Sequence, residues 1–316
     1  MKTLKLTALA VAVMMTACEK TVYDEWSENS ENSEYSEESE PTKKFTFTLK
    51  GDFSDAWRLD AVCDVDTGDA GEAAAREMTR GYLSADGKDM TDIWVLDYMN
   101  GTLAQQLHQS DNTSDDFGKP VMRLAYGSHH VYFIASRGSA ATLNTDAKTI
   151  TFGSVRDTFW KDYTVDVVST SNGNRAVTLD RVVTRLRLTF TDAISSDAAT
   201  INFAPHLWYY GLDYIHGTPV NAITDQAVTI NIPASELGNT GVQASIFGFS
   251  TATEWTTDVT INSKKSSGEV IGSATIANVP FKANRISELA GPLFGSDGVM
   301  TLSLNTNWET AYNGAW

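Results

Sequence analysis

The sequence predicts an all-β protein of two β-sandwich domains in tandem, and three observations carry that prediction. From residue 44 onward, apolar residues recur at every second position in short runs bounded by Gly, Ser, Asn or Asp, the spacing of sandwich strands. No amphipathic helix of three turns is visible, and the best helical stretch is the weak segment 70–79. The run "TSNGNR", residues 170–175, has no apolar residue and falls where a first set of strands ends, which sets the domain boundary at 172/173. A chain of 316 residues is long enough for a leader and two domains that each bury a core.

The leader is "MKTLKLTALAVAVMMTAC", residues 1–17 and the cysteine after them. It has two lysines, an apolar run from Leu6 to Met15 and small residues before Cys18, the pattern of a secretory signal peptide. The apolar run is too short to span a bilayer. Met15-Thr16-Ala17-Cys18 resembles the lipobox of bacterial lipoproteins, in which the cysteine carries lipid and becomes the mature N-terminus. Cys63 is the other of two cysteines, so a lipidated Cys18 leaves no disulfide framework, and stability must come from packing.

Residues 18–43 follow as an acidic tether. Residues 19–40 hold nine acids and one lysine, a net charge of −8 out of −16 for the chain. A segment that repels itself and has little apolar surface to bury is extended and solvated. Acidic residues close behind a lipidated cysteine resemble the signal that sends lipoproteins of the Bacteroidetes to the cell surface. A chain this acidic is a poor nucleic-acid partner.

The N-terminal domain, 44–172, opens with "KFTFTLK", where Phe45, Phe47 and Leu49 alternate with polar residues in one half-buried strand, 44–50. Residues 51–90 are irregular. Alternation returns at "DIWVLDYMNGTLAQQLHQ", a hairpin turning on Asn100-Gly101. Strands follow at "PVMRLAYG", "HHVYFIASRG", "TITFGSV" and "DYTVDVVS". The C-terminal domain, 173–316, holds "RVVTRLRLTFTDA", "TINFAP", "LWYYGLDYI", "AVTINIPAS", "VQASIFGFST", "WTTDVTINS" and "EVIGSATIANVPFKANRISELAG". A terminal strand, 299–307, presents Met300, Leu302 and Leu304 on one face.

Catalytic patterns fail on context. "DTG" at 66–68 has no second copy, and paired carboxylates are what that chemistry needs. "DVDTGD" lacks the glycine and closing glutamate of a calcium loop. "GFSTA" at 248–252 lacks the second glycine of a nucleophile elbow and continues as a strand. His129 and His130 are adjacent, point to opposite faces of a strand and cannot grip one metal; solvated turn residues account for these groups. With five histidines and no carboxylate constellation, the sequence argues for no enzyme, no cofactor and no metal. One dense aromatic cluster, "HLWYYGLDY" at 206–214, leaves Trp208 and Tyr210 as a weak glycan contact against the ordinary reading of strand aromatics.

The ordered set of the lipobox at Cys18, "KFTFTLKG", "TRGYLSADGKDMTDIWVLDY", "LDRVVTRLRLTFTDA" and "VPFKANRISELAGPLF" resembles the fimbrillins of the Bacteroidetes, which build type V pili. The resemblance implies two transthyretin-like Greek-key sandwiches, export as a surface lipoprotein of the outer membrane, and trimming by a trypsin-like, Arg-specific protease in the loop 51–90. Arg80 stands where the cut is expected, with Arg76 as runner-up. Loss of Phe45, Phe47 and Leu49 would bare a row of unpaired backbone over an open core, and such an edge recruits a strand. Met300, Leu302 and Leu304 are the candidate donor, so that head-to-tail contacts yield a filament. The implied partners are other fimbrial subunits, the outer-membrane lipid through Cys18 and the processing protease; the adhesion ligand on a host or bacterial surface stays unnamed. The alternatives are a permanently lipidated pilus anchor and a glycan-binding surface lipoprotein.

Overall fold

The computed structural model describes residues 41–51, 90–137, 141–295 and 301–303. In the first half the strands are β1 (Thr42–Gly51), β2 (Asp92–Met99), β3 (Thr102–Gln109), β4 (Val121–Ala125), β5 (Gly127–Ser136), β6 (Ala141–Asn144), β7 (Thr149–Phe152), β8 (Thr158–Val167) and β9 (Asn174–Arg181). The second half has β10 (Val183–Phe190), β11 (Thr200–Pro205), β12 (Trp208–Asp213), β13 (Thr218–Ile223), β14 (Val228–Asn231), β15 (Gln243–Phe249), β16 (Trp255–Lys264), β17 (Val270–Phe281), β18 (Ile286–Gly291) and β19 (Thr301–Ser303). Among the described residues the one helical element is a 3-10 turn, Ala234–Glu236. The fold is an all-β sandwich.

Local sequence explains the strands. Asn100 and Gly101 take φ of 52° and 77°, the paired left-handed geometry of a type I′ turn, and so join β2 to β3 with the twist that antiparallel strands need. β2 reads as a near-continuous apolar run because both its faces are covered. Ile93 and Val95 enter one core, while Leu96 and Tyr98 enter another.

The two halves repeat one strand order. The first half runs β3-β2-β5-β8-β9-β1-β4. The second runs β14-β11-β16-β17 in one sheet and β15-β10-β18 in the other, the same seven places filled in the same chain order. Each half opens with a strand that lies parallel to the half's last full strand and antiparallel to a middle one: β1 between β9 and β4, β10 between β18 and β15. Three pieces fall outside the repeat. Hairpin β6–β7 is inserted before β8, hairpin β12–β13 after β11, and these two insertions pair with each other through Gly211↔Thr151, Leu212↔Ile150 and Asp213↔Thr149. The third piece is β19, which pairs with β18 and has no counterpart among the described residues of the first half.

Three apolar cores follow from this plan. One lies within the first half around Phe45, Phe47, Phe133 and Leu179. A second lies within the second half around Leu188, Phe203, Ile261 and Phe281. The third joins them, packing Leu96, Tyr132 and Ile150 against Leu212, Phe247 and Phe249. Polar groups at this junction are paired as burial requires. Arg181 donates from Nε and Nη2 to the two oxygens of Asp157 at 2.7 and 3.0 Å and from Nη1 to Asn284 at 2.9 Å. The Tyr98 and Tyr214 hydroxyls meet at 2.8 Å, and Lys148 donates to Tyr98 at 3.0 Å.

Three features differ from the sequence expectation. The boundary at 172/173 precedes β9, which pairs with β1 and β8, so the last strand of the first sheet lies beyond the polar run. The strands β6 and β13 were not expected. The stretch "AVTINIPAS" forms a strand only over 228–231, because Pro233 lacks an N–H and the 3-10 turn follows. The weak helical segment 70–79 lies outside the described residues.

Candidate functional site

The place occupied by β1 is the most distinctive site on the molecule. Phe45, Phe47 and Leu49 point into the first core and are essentially inaccessible, while Thr46, Thr48 and Lys50 face outward. Each such side chain contributes on the order of 1.5–3 kcal/mol by burial. The Phe47 ring packs edge-on to Phe133 at 5.1 Å and Tyr163 at 6.0 Å, and Phe45 lies alongside it at 6.0 Å. The Arg175 guanidinium sits 5.3 Å from the Phe45 ring centre.

The backbone of β1 is engaged on both sides. It runs parallel to β9 from Thr46↔Asn174 to Gly51↔Leu179. It runs antiparallel to β4 from Thr42↔Ala125 to Thr46↔Val121, and beyond that Phe47 N–H donates to the Pro120 carbonyl at 3.0 Å and Leu49 N–H to Gly118 at 3.1 Å. Thr46 N–H donates to the Gly173 carbonyl at 2.7 Å, and Lys43 Nζ to the Ser169 carbonyl at 2.6 Å. Withdrawing β1 would therefore leave a slot with an unpaired edge on each wall and the first core for its floor.

The other expected site residues fall as follows. Cys18, Arg76 and Arg80 lie outside the described residues, as do Met300 and Leu304. Leu302 belongs to β19, whose pairs are Glu288↔Ser303, Leu289↔Leu302 and Ala290↔Thr301. Trp208 is corrected: it is 1% exposed, donates from Nε1 to the Phe247 carbonyl at 3.1 Å and packs on Phe281, so its indole is a core group with no face for a sugar. Tyr210 is half-buried at the rim of a cleft, and burial pushes its phenol up.

His129 is also corrected. It points opposite to His130 as expected, but it is no solvated turn residue. It is buried on β5, with Nε2 3.0 Å from the Ala125 carbonyl and Nδ1 2.8 Å from Asp97 Oδ1. Nε2 therefore carries the proton that binds Ala125, and one further proton is shared between Nδ1 and Oδ1. Burial holds the Asp97 carboxyl above its ordinary range, against the opposing pull of the His129 hydrogen bond. His130 is exposed and meets Asp162 at 3.1 Å. At the junction, burial and the Tyr98 hydrogen bond push the Tyr214 phenol up, and burial pushes Tyr132 up to about 12. Among the described residues no three His, Cys, Asp or Glu side chains gather as metal ligands would.

No protein-family profile matches the chain, and no curated protein matches its sequence. Solved structures do align with it. A candidate adhesin from Bacteroides ovatus aligns over 84% of this chain and 94% of its own, with a TM-score of 0.50 and 12% identity. A candidate adhesin from Bacteroides thetaiotaomicron aligns over 84% and 99%, with a TM-score of 0.48 and 9% identity. A tip fimbrial protein from Porphyromonas gingivalis aligns over 70% and 96%, with a TM-score of 0.41 and 12% identity. The likeness to the first of these is one of fold: the chain is a β-sandwich protein of an architecture found in that candidate adhesin.

Proposed function

We propose that the protein is a fimbrial or adhesive subunit of the bacterial surface, related to the fimbrillins, that assembles by exchanging β1 for a strand of a neighbouring subunit. The observation that carries this reading is the seating of β1. Three buried apolar side chains and hydrogen bonds on both edges make it a plug, yet the chain joins it to β2 only through residues 52–91. In the second half β10 fills the equivalent place but is tied to β9 by the single residue Val182 and to β11 by residues 191–199.

In this reading Cys18 carries the lipid, an Arg-specific protease cuts after Arg80 or Arg76, and the released slot takes residues 299–307 of the next subunit, with Met300, Leu302 and Leu304 replacing Phe45, Phe47 and Leu49. What supports the donor role is that β19 stands outside the seven-strand repeat, so the second half keeps its full strand set without it. Partners are then other fimbrial subunits, and the outer membrane is the starting location. A permanently lipidated anchor would keep β1 in place.

Limited trypsin digestion of the chain without its leader, followed by mass, N-terminal sequence and size analysis, tests the reading. A core beginning at Gly81 that forms ladders is the expected outcome. A trimmed core that stays monomeric with 42–51 still bound would point to the anchor, and a chain resistant throughout 52–89 would overturn processing.

A further inference from the structure

Of the four large apolar side chains exposed among the described residues, two stand together. Tyr126 and Val168 lie one step beyond Gly127↔Val167, the last pair of β5 and β8, and are 39% and 52% exposed. They flank the chain that enters β1. Tyr126 N–H donates to the Pro41 carbonyl at 3.2 Å, and Lys43 Nζ donates to the Ser169 carbonyl, next to Val168, at 2.6 Å. Val168 is fixed on both sides, since its N–H donates to Ser171 Oγ at 3.0 Å and its carbonyl accepts from Ser171 N–H at 2.9 Å. The entrance of the β1 slot thus has a firm apolar rim turned to solvent.

A second fixed point lies just ahead of the proposed donor strand. Leu293, Phe294 and Gly295 donate successive N–H groups to Asp192 Oδ2, at 3.0, 2.6 and 2.9 Å. Hydrogen bonds to a carboxylate are roughly twice as strong as neutral ones. Leu293 is 2% exposed in the second core, and its carbonyl lies so close to β17 that a Cβ on Gly272 would stand 2.4 Å from it. The half-buried Phe294 packs its ring 5.9 Å from that of Phe190. The chain is therefore held up to the exposed Gly295.

If Met300, Leu302 and Leu304 take the places of Phe45, Phe47 and Leu49, the same count puts Ser296 in the place of Pro41. Ser296 directly follows the fixed Gly295. One residue spans at most about 3.6 Å, so no spacer separates the donor's folded body from the slot that it enters. We infer that Tyr126 and Val168 form the docking surface for a second copy of this chain, whose corner of Pro292, Phe294 and Asp192 seats on them. Pro292 and Phe294 are half-buried and offer apolar surface to the rim. The Asp192 charge is already met by three N–H groups, so the contact buries no unpaired charge. The Ser296 carbonyl would accept the Tyr126 N–H that Pro41 gives up. This rests on the strand exchange proposed above and adds to it a contact between folded bodies.

The leaderless chain trimmed with trypsin, with ladders followed by size analysis, tests the docking surface. Tyr126→Glu with Val168→Glu should cut ladder formation about tenfold. The free peptide Val-Met-Thr-Leu-Ser-Leu-Asn-Thr-Asn, residues 299–307, should still release the β1 segment from this variant as readily as from the parent. Should the glutamates disturb folding, Tyr126→Ser with Val168→Ser serves instead. The core from Gly81 onward has no cysteine of its own, because Cys18 and Cys63 precede the cut. Tyr126→Cys with Ser296→Cys should therefore give disulfide-linked ladders on oxidation, and Val270→Cys with Ser296→Cys should not. Undiminished ladders in the rim variants, equal linking through Val270→Cys, or loss of peptide exchange along with the ladders would each overturn the docking surface and leave strand exchange standing. A trimmed parent that forms no ladders, or whose β1 the peptide does not release, would overturn strand exchange itself and the docking surface with it.

Discussion

Gly173 lies against Lys44 so closely that a Cβ on the glycine would stand 2.3 Å from the Lys44 carbonyl oxygen. The contact is backbone on backbone, at the point where Thr46 N–H bonds the Gly173 carbonyl. Neither side can yield by a rotamer change. Gly173→Ala should therefore weaken the seat of β1, by about 1–3 kcal/mol in line with overpacking elsewhere. Hydrogen exchange at Thr46, Phe47 and Leu49 should accelerate, while β10 and β18 keep their protection.

Phe47→Ala removes the ring that touches Phe45, Phe133 and Tyr163. A buried Phe→Ala change costs about 3–5 kcal/mol. Urea unfolding should show this loss in the first half, and trypsin should release the segment bearing β1 sooner than from the parent. A variant as resistant as the parent would mean that β1 is held chiefly by its backbone pairs.

Asp97 gives a prediction in pH. Its folded pKa lies above the unfolded value because burial disfavours the carboxylate. The folded state thus holds this proton more tightly, and the contribution of Asp97 to stability grows as pH falls through the folded pKa and shrinks as pH rises. Asp97→Asn keeps a donor for Nδ1 of His129 and removes a buried charge. It should be at least as stable as the parent at neutral pH, and the difference between the two should narrow on mild acidification. His129→Ala strands Asp97 in the core and should lose about 3–5 kcal/mol at neutral pH.

The Arg181–Asp157 pair, whose side chains are each 2% exposed, ties β9 to the loop before β8 and, through Asn284, to the second half. Removing one partner leaves the other charge buried, so Arg181→Met should destabilise by about 3–5 kcal/mol. The double variant Arg181→Met with Asp157→Leu should recover much of that loss. Recovery in urea midpoints would show that the pair is replaceable by packing.

What was legible in the sequence was whatever rested on local alternation or a special turn. The face of Phe45, Phe47 and Leu49 and the Asn100-Gly101 hairpin needed only a period of two and a backbone preference. β9 was missed but for Arg181, because Asn174 and Arg175 look like linker, and it is their pairing with Thr46 and Phe47, far away in the chain, that makes them strand. His129 read as a solvated turn residue, and Trp208 kept a weak glycan reading beside the ordinary one of a strand aromatic, because sequence records their polarity but not the carbonyls of Ala125 and Phe247 that satisfy it. The seven-strand repeat lies in the pairing order and in no shared motif.

Under the proposed strand exchange, the repeat would also set the valency of assembly. β1 and β10 are topological equals, but β10 is bound into the chain at both ends, by Val182 to β9 and by residues 191–199 to β11. A single cut between β1 and β2 therefore creates one vacancy per molecule and never two. If each molecule opened one such vacancy and offered one terminal strand, as proposed, growth would be confined to unbranched rows.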